Sequence, residues 1–397
     1  MVDAAPFRAL HYDPAIAGAP AATSAPAYDD LGRFTYARHR TASPYTVLEL
    51  LAPDEENGSG FSNAAAAYRR WLRTGVLVEE EAAAFYLYEI HELRHAVPAV
   101  LRGVLAAVSV TGDTLLPHEG IETSRITSRL DRMTAVPVDI APVFAVHTPA
   151  DAGFRSVVDA APQTTPLIAF TDESGADHRI WAVQDANAQQ VLRDGLLDVR
   201  AVIADGHHRF ASAVHLQRRR HDQHRTLAYL VDAAAYGPQL LPVHRLVRRA
   251  PADLERRLGE AFTVTPVPAA GLRDALHDAP RPALGYRTAD GHAAILVPRR
   301  QPPPGPAATT AGHALDPAVF EDVIRPLLDD ADVVYLPDDR VTDAAPDAGS
   351  ALFVMRAPAL DAVYDFALAG RAMPAKSTWF RPKPRAGVVM RSLDSGA

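Results

Sequence analysis

Five consecutive residues bring together groups that do chemistry: the carboxylate of Asp205, the bare backbone of Gly206, the imidazoles of His207 and His208, and the guanidinium of Arg209. Gly206 permits a main-chain geometry, or a close approach, that any Cβ would obstruct. Arg209 offers a planar fork of donors matched to phosphate oxygens. A helix starting here adds unsatisfied N–H groups and the positive end of its dipole. The chemistry implied is anion binding, with a nucleotide phosphate as the first candidate ligand. The plain alternative is an ordinary Asp-Gly turn followed by histidines that cap a helix.

Other stretches carry candidate groups. His118-Glu119 precedes a basic segment, about 122–133, bearing Arg125, Arg129, Asp131 and Arg132. A His-Glu pair beside cations can hold a general base next to a negatively charged substrate, so Glu119 and His118 are expected catalytic residues and Arg125 an expected substrate contact. Tyr28 and Asp29 in the Ala/Pro-rich leader, and His244 with Arg245, are further candidate substrate contacts. Near the carboxyl end, 373–384 contains Lys376, Ser377 and Thr378, then Trp379, Phe380, Arg381 and Lys383. Those cations and hydroxyls have the chemistry to complete a phosphate site. Taking His118, Glu119, His207 and His208 together as metal ligands gives a hydrolase reading, but no H-E-x-x-H spacing supports it.

The elements that must hold these groups can be read from periodicity. Val202-Ile203-Ala204 is a short apolar run that ends at Asp205, and an alanine-rich helical pattern continues to about Arg220: a strand, a turn and a helix. Phe85–His91 and a strand within 96–110 read as a hairpin, and 226–232 as another strand. Tyr45–Leu50 is expected as a strand, with a helix over 63–73 closed by Gly75. His244 and Arg245 are placed at a second strand-to-helix junction. The first forty or so residues read as an extended, turn-punctuated arm, and 301–312 as a loop.

Composition limits the classes. A chain of 397 residues, 48% hydrophobic and 22% charged, is long for one core, so an N-terminal lobe (1–249) and a C-terminal α/β lobe (250–397) are expected. The fold class is α+β, with mixed β-sheets and flanking helices. A net charge of −8 argues against a dedicated nucleic-acid binder. The absence of cysteine removes disulfides, thiolate metal sites and a cysteine nucleophile. Met1–Pro6 lacks the pattern of a signal peptide, and the best apolar stretch, 96–110, is short and interrupted by Arg102. The expectation is a cytoplasmic protein without a membrane segment. No Walker-type loop, G-x-G-x-x-G fingerprint or G-x-S-x-G elbow occurs.

Five motifs at characteristic spacing resemble one family. They are Ala-Pro-x-Tyr-Asp near the start, His118-Glu119 before a helix ending in Asp131-Arg132, the Ile203–Phe210 turn, Leu241-Pro242-x-His244-Arg245, and Met373-Pro374-x-Lys376-Ser377-Thr378 followed by Pro382-Lys383. Together they look like the bacterial and archaeal proteins grouped as domain of unknown function 1015. More distantly, the Asp-Gly-His-His-Arg turn is similar to the phosphate-binding motif of free serine kinases in the ParB/sulfiredoxin-like superfamily.

That resemblance implies a ParB-like nucleotide-binding core. Asp205, Gly206, His207, His208 and Arg209, joined by Lys376, Ser377 and Thr378, would hold the phosphates of ATP or ADP. Asp205 would also touch Mg²⁺. Glu119 is the expected base for the hydroxyl of a small metabolite such as free serine. The implied activity is a small-molecule kinase. The alternative is a nucleotide-binding regulatory or DNA-associated protein without rapid turnover, with a basic surface around Arg218, Arg219, Arg220 and Arg225. A homodimer is compatible with either.

Overall fold

The computed structural model describes residues 1–27, 33–51, 61–94, 97–220, 224–300, 315–338, 341 and 346–394. Tyr28, Asp29 and the 301–312 loop lie outside the described residues. The chain forms two compact units, one made of residues 1–116, 121–238 and 382–397, the other of 117–120 and 239–381. The class is α+β with mixed sheets. The first unit is therefore closed by the end of the chain, and the second includes the short His118-Glu119 segment.

The first unit is built on an eight-stranded sheet. Its strands run in the order Ala201–Asp205, Val143–His147, Arg225–Asp232, Val97–Ser109, Phe85–Arg94, Asp177–Val183 and Ile168–Thr171, and Ala4–Ala5 also pairs with Val97–Ser109. The expected hairpin is present as a long antiparallel pair, Tyr86 opposite Leu105 through to Arg94 opposite Val97. Arg225–Asp232 runs parallel to Val143–His147, and Leu116 bridges Val202 in parallel. Strands buried on both faces explain why Val143–His147 and Thr226–Asp232 read as nearly continuous apolar runs. A second, four-stranded sheet orders Leu77–Glu79, Ala9–Tyr12, Met390–Ser392 and Val138–Asp139, which fixes the carboxyl end inside this unit.

Two expectations for the first unit are corrected. Residues 1–27 are not an extended arm: they form strands Ala4–Ala5 and Ala9–Tyr12 and short helices Pro14–Ala17 and Pro20–Thr23. Proline at the start of each helix has its φ preset, and the Asp13 carboxylate accepts the Ala15 N–H at 2.9 Å. Tyr45–Leu50 is not a strand either. Leu48–Leu51 is a helical turn that buries Leu48 and Leu50 beside Val47 in the cluster around Trp71. In so short an apolar run, periodicity does not separate strand from helix.

The second unit has a six-stranded antiparallel sheet in the order Phe262–Pro266, Ala293–Pro298, Leu284–Thr288, Ala351–Val354, Val243–Arg248 and Asp332–Pro337. Phe262, Phe320 and Phe353 fill the core on one face, and Leu272, Leu276 and Ile295 that on the other. A two-stranded pair joins Gln239–Leu241 to Trp379–Arg381. The junction expected at His244-Arg245 is corrected: both residues lie inside the strand Val243–Arg248.

Among the described residues no helix is long and apolar enough to cross a membrane.

Candidate functional site

The strand Ala201–Asp205 buries Ala201, Val202 and Ile203, and its register against Val143–His147 shifts between Ile203 and Asp205. Such a bulge ends regular pairing and re-aims the next side chain. Gly206 follows with φ 96°, a left-handed conformation that L-residues rarely adopt, and opens the helix His207–Arg219 without a side-chain cap. Phe210, Ala213 and Leu216 bury one face of that helix. The sequence pattern of strand, turn and helix start is present as expected.

The Asp205 carboxylate lies between two cations. Lys383 Nζ donates to Oδ1 at 2.9 Å, and Arg209 Nη2 donates to Oδ2. A Cβ on residue 206 would stand 2.7 Å from Arg209 Nε, so the missing side chain is what lets the guanidinium fold back over the turn. Burial alone would raise the Asp205 pKa, but Lys383 and Arg209 outweigh it and hold the group far below the usual carboxylate range. Asp205 is therefore ionised, with each oxygen already facing a cation. In this arrangement it does not fit direct ligation of Mg²⁺. Among the described residues no cluster of three or more His, Asp or Glu side chains could hold a metal ion.

The surrounding charge is positive. Arg132, on the helix Thr123–Ala135, is buried, donates to the Val138 carbonyl at 3.3 Å, and has its pKa lowered to about 10 by burial, with Asp139 opposing and Arg129 and Arg209 adding like-charge pressure. Two cations, Arg209 and Lys383, thus face the one carboxylate of Asp205, and Asp139, beside Arg132, also pairs with Arg391 at 3.3 Å. His208 Nε2 accepts the Glu122 N–H at 3.0 Å, which fixes a neutral tautomer with its proton on Nδ1. His207 is buried at the first position of the helix. Arg125 is exposed and pairs with Glu122 at 2.9 Å.

Among the described residues, His118, Glu119, His244, Arg245, Lys376, Ser377 and Thr378 belong to the second unit. The Glu119 carboxylate accepts the Lys376 N–H at 2.8 Å, and the Met373 N–H bonds to the His118 carbonyl at 2.7 Å. His118 is buried against Phe380, with Nε2 and Thr378 Oγ1 3.0 Å apart. Ser377 Oγ donates to the Pro374 carbonyl at 2.6 Å and closes the turn in which Lys376 takes a φ of 55°.

Arg245, fully buried, donates to the carbonyls of Val243, Ala375 and Lys376 at 2.7–3.3 Å and lies over the Tyr335 ring, its pKa lowered to about 10 by burial against the pull of Glu321. His244, also fully buried, links Asp338 at 2.9 Å to the Met355 N–H at 3.0 Å. Arg245 thus braces the 373–378 turn. The substrate-contact expectation for His244 and Arg245 assumed an open junction, which a central strand does not provide.

Lys383, one of the 373–384 cations expected to help complete a phosphate site, lies in the first unit and bonds Asp205 at 2.9 Å. The basic run is partly neutralised: Arg225 reaches both oxygens of Asp3 at 3.0 and 3.2 Å, and Arg220 lies 3.5 Å from Asp394.

The family described as "Protein of unknown function (DUF1015)" has a model that matches residues 4–325. The chain belongs to the DUF1015 family. No curated protein matches this DUF1015 chain. Solved structures that resemble it include a free serine kinase variant in complex with AMP, 12% identical, TM-score 0.39, covering 74% of this chain and 94% of that one. C-terminally truncated SbnI from Staphylococcus aureus is 12% identical, with a TM-score of 0.41 and coverages of 74% and 90%. A conserved hypothetical protein from Pyrococcus furiosus is 12% identical, with a TM-score of 0.37 and coverages of 74% and 97%.

Proposed function

We propose that the turn led by Asp205 receives the phosphates of ATP or ADP, and that the chain is a kinase acting on the hydroxyl of a small metabolite. The observation that carries this reading is the pair of cations, Arg209 and Lys383, gathered on one part-buried carboxylate at the uncapped start of the His207–Arg219 helix. A phosphate satisfies that environment in three ways. It adds negative charge where cations are in excess, it accepts from the first-turn N–H groups, and it takes the second face of the Arg209 fork. The choice of a nucleotide over a free phosphate follows the likeness of the Asp-Gly-His-His-Arg turn to serine-kinase sequences.

In the reaction the terminal phosphoryl group leaves its bridging oxygen and bonds to the acceptor hydroxyl oxygen. The hydroxyl proton passes to a base, and ADP or AMP departs. Such transfer depends more on positioning and charge neutralisation than on covalent chemistry. Arg209 and Lys383 meet that demand by balancing charge on the phosphates without reorganising water. Asp205 keeps both cations in place until a phosphate shares them. The test is phosphorus NMR of the protein with ATP or ADP, Mg²⁺ and a panel of hydroxy amino acids. A new phosphomonoester signal supports the reading, and nucleotide binding without turnover would leave a sensor in its place.

A further inference from the structure

We infer that Arg385 is a positioning residue for the phosphate site, setting the reach of Lys383 through a stiff Pro382-Lys383-Pro384-Arg385 strap. This deepens the proposed function and rests on it. Proline fixes its own φ and restricts the residue before it to extended conformations, so two prolines flanking Lys383 leave little slack between Arg385 and the lysine. A shift of the arginine is passed on to the ammonium.

The anchor is set up to hold that arginine. Arg385 is buried, and Nη1 donates to Asp172 Oδ2 at 3.0 Å and to Glu173 Oε1 at 3.1 Å. Nε donates to Ser24 Oγ at 3.0 Å, and Nη2 to the Ser24 carbonyl at 3.3 Å. The two carboxylates are held by further partners. Asp172 accepts the N–H groups of Ser174 and Ala176 at 2.8 and 3.1 Å and is bonded to His178 at 3.1 Å, while Glu173 pairs with His39 at 3.0 Å. His178 in turn stacks on Phe170 and meets Tyr88 Oη at 2.8 Å.

Downstream, the chain is held without Arg385. Ala386 and Ala25 exchange N–H to carbonyl bonds at 2.9 and 3.1 Å, Gly387 bonds to the Ile140 carbonyl at 2.9 Å, and Met390–Ser392 sits in a sheet. Loss of the Arg385 charge therefore loosens the strap ahead of it while the fold persists.

A double-mutant cycle separates positioning from general bracing. ADP is titrated calorimetrically into wild type, Arg385→Gln, Lys383→Gln and the double variant, with Arg385→Lys as the conservative control. Acting through Lys383, Arg385→Gln weakens ADP about tenfold in the wild-type background but less than about twofold once Lys383 is gone, and Arg385→Lys recovers most of the loss. Equal losses in the two backgrounds, or no loss in either, overturn the inference. Should Arg385→Gln fail to fold, Glu173→Gln in the same cycle reads the anchor from its other side. If wild type takes up no ADP, the phosphate reading fails and takes this inference with it. If wild type binds and Lys383→Gln weakens binding, but the cycle is additive, only the strap is wrong.

Discussion

Lys383 and Asp205 lie 178 positions apart in the chain and meet at 2.9 Å, with the lysine side chain almost completely buried. A buried ammonium needs a partner, and Arg209 shares the same carboxylate. One negative group therefore holds two positive ones, and the pair is positioned before any ligand arrives.

Removing that negative group gives the first prediction. Asp205→Asn leaves Lys383 and Arg209 without their counter-charge and is expected to lower stability by about 3 kcal/mol, the usual cost of breaking a buried pair from one side. A bound phosphate then supplies the missing charge. Inorganic phosphate should raise the unfolding temperature of the variant more than that of wild type, a linkage effect readable by thermal denaturation across phosphate concentrations.

Gly206→Ala tests the turn itself. At φ 96° an L-residue is strained, and its Cβ would collide with the Arg209 guanidinium. The variant is expected to lose about 1–2 kcal/mol in denaturant unfolding and to bind ADP more weakly, because Arg209 must leave its place over the turn.

Glu119→Gln separates base from brace in the second unit. A glutamine keeps a carbonyl oxygen for the Lys376 N–H, so the 373–378 turn should persist. With Glu119 as base, turnover falls by about 10²- to 10⁴-fold while ADP affinity is unchanged. Equal loss of both quantities would remove the base assignment and leave Glu119 as a turn-holding residue.

Asp338 gives a pH signature for the second unit. Its hydrogen bond to His244 lowers its pKa, burial opposes that, and Arg273 adds to the lowering, for a value of about 2 against an ordinary 3.8. A carboxylate depressed in the folded state contributes stability that is complete above its unfolded value and is lost as pH falls toward the folded one. The stability difference between wild type and Asp338→Asn should be constant above about pH 5 and shrink toward pH 2, by about 2 kcal/mol in urea unfolding followed through that range.

The parts of this molecule legible in the sequence are those where local pattern and tertiary environment agree. The 202–210 stretch has an apolar run, a glycine and a helical repeat in succession, and each means the same thing in the fold. The hairpin of Phe85–Arg94 and Val97–Ser109 was equally plain. His244 and Arg245 misled because polar residues next to a proline suggest an exposed junction, whereas here they bond inside a central strand to Asp338 and to the carbonyls of a distant turn. The leader misled because alanine and proline are read as loop formers, yet small side chains also pack closely, and Ala9, Ala17 and Ala25 are buried. The 373–384 cations are expected to help complete a phosphate site, but the carboxylate that Lys383 meets, Asp205, is not legible from its neighbours. Their meeting depends on an approach between segments that no local spacing encodes.

The proposal that Arg209 and Lys383 receive phosphate oxygen is tested by calorimetric titration of ADP into wild type and Arg209→Ala. Saturable uptake by wild type is expected, with a loss of at least about tenfold in affinity for the variant, the scale of a charge-assisted, bidentate contact. Uptake of equal strength by both proteins, or none by wild type, would contradict it.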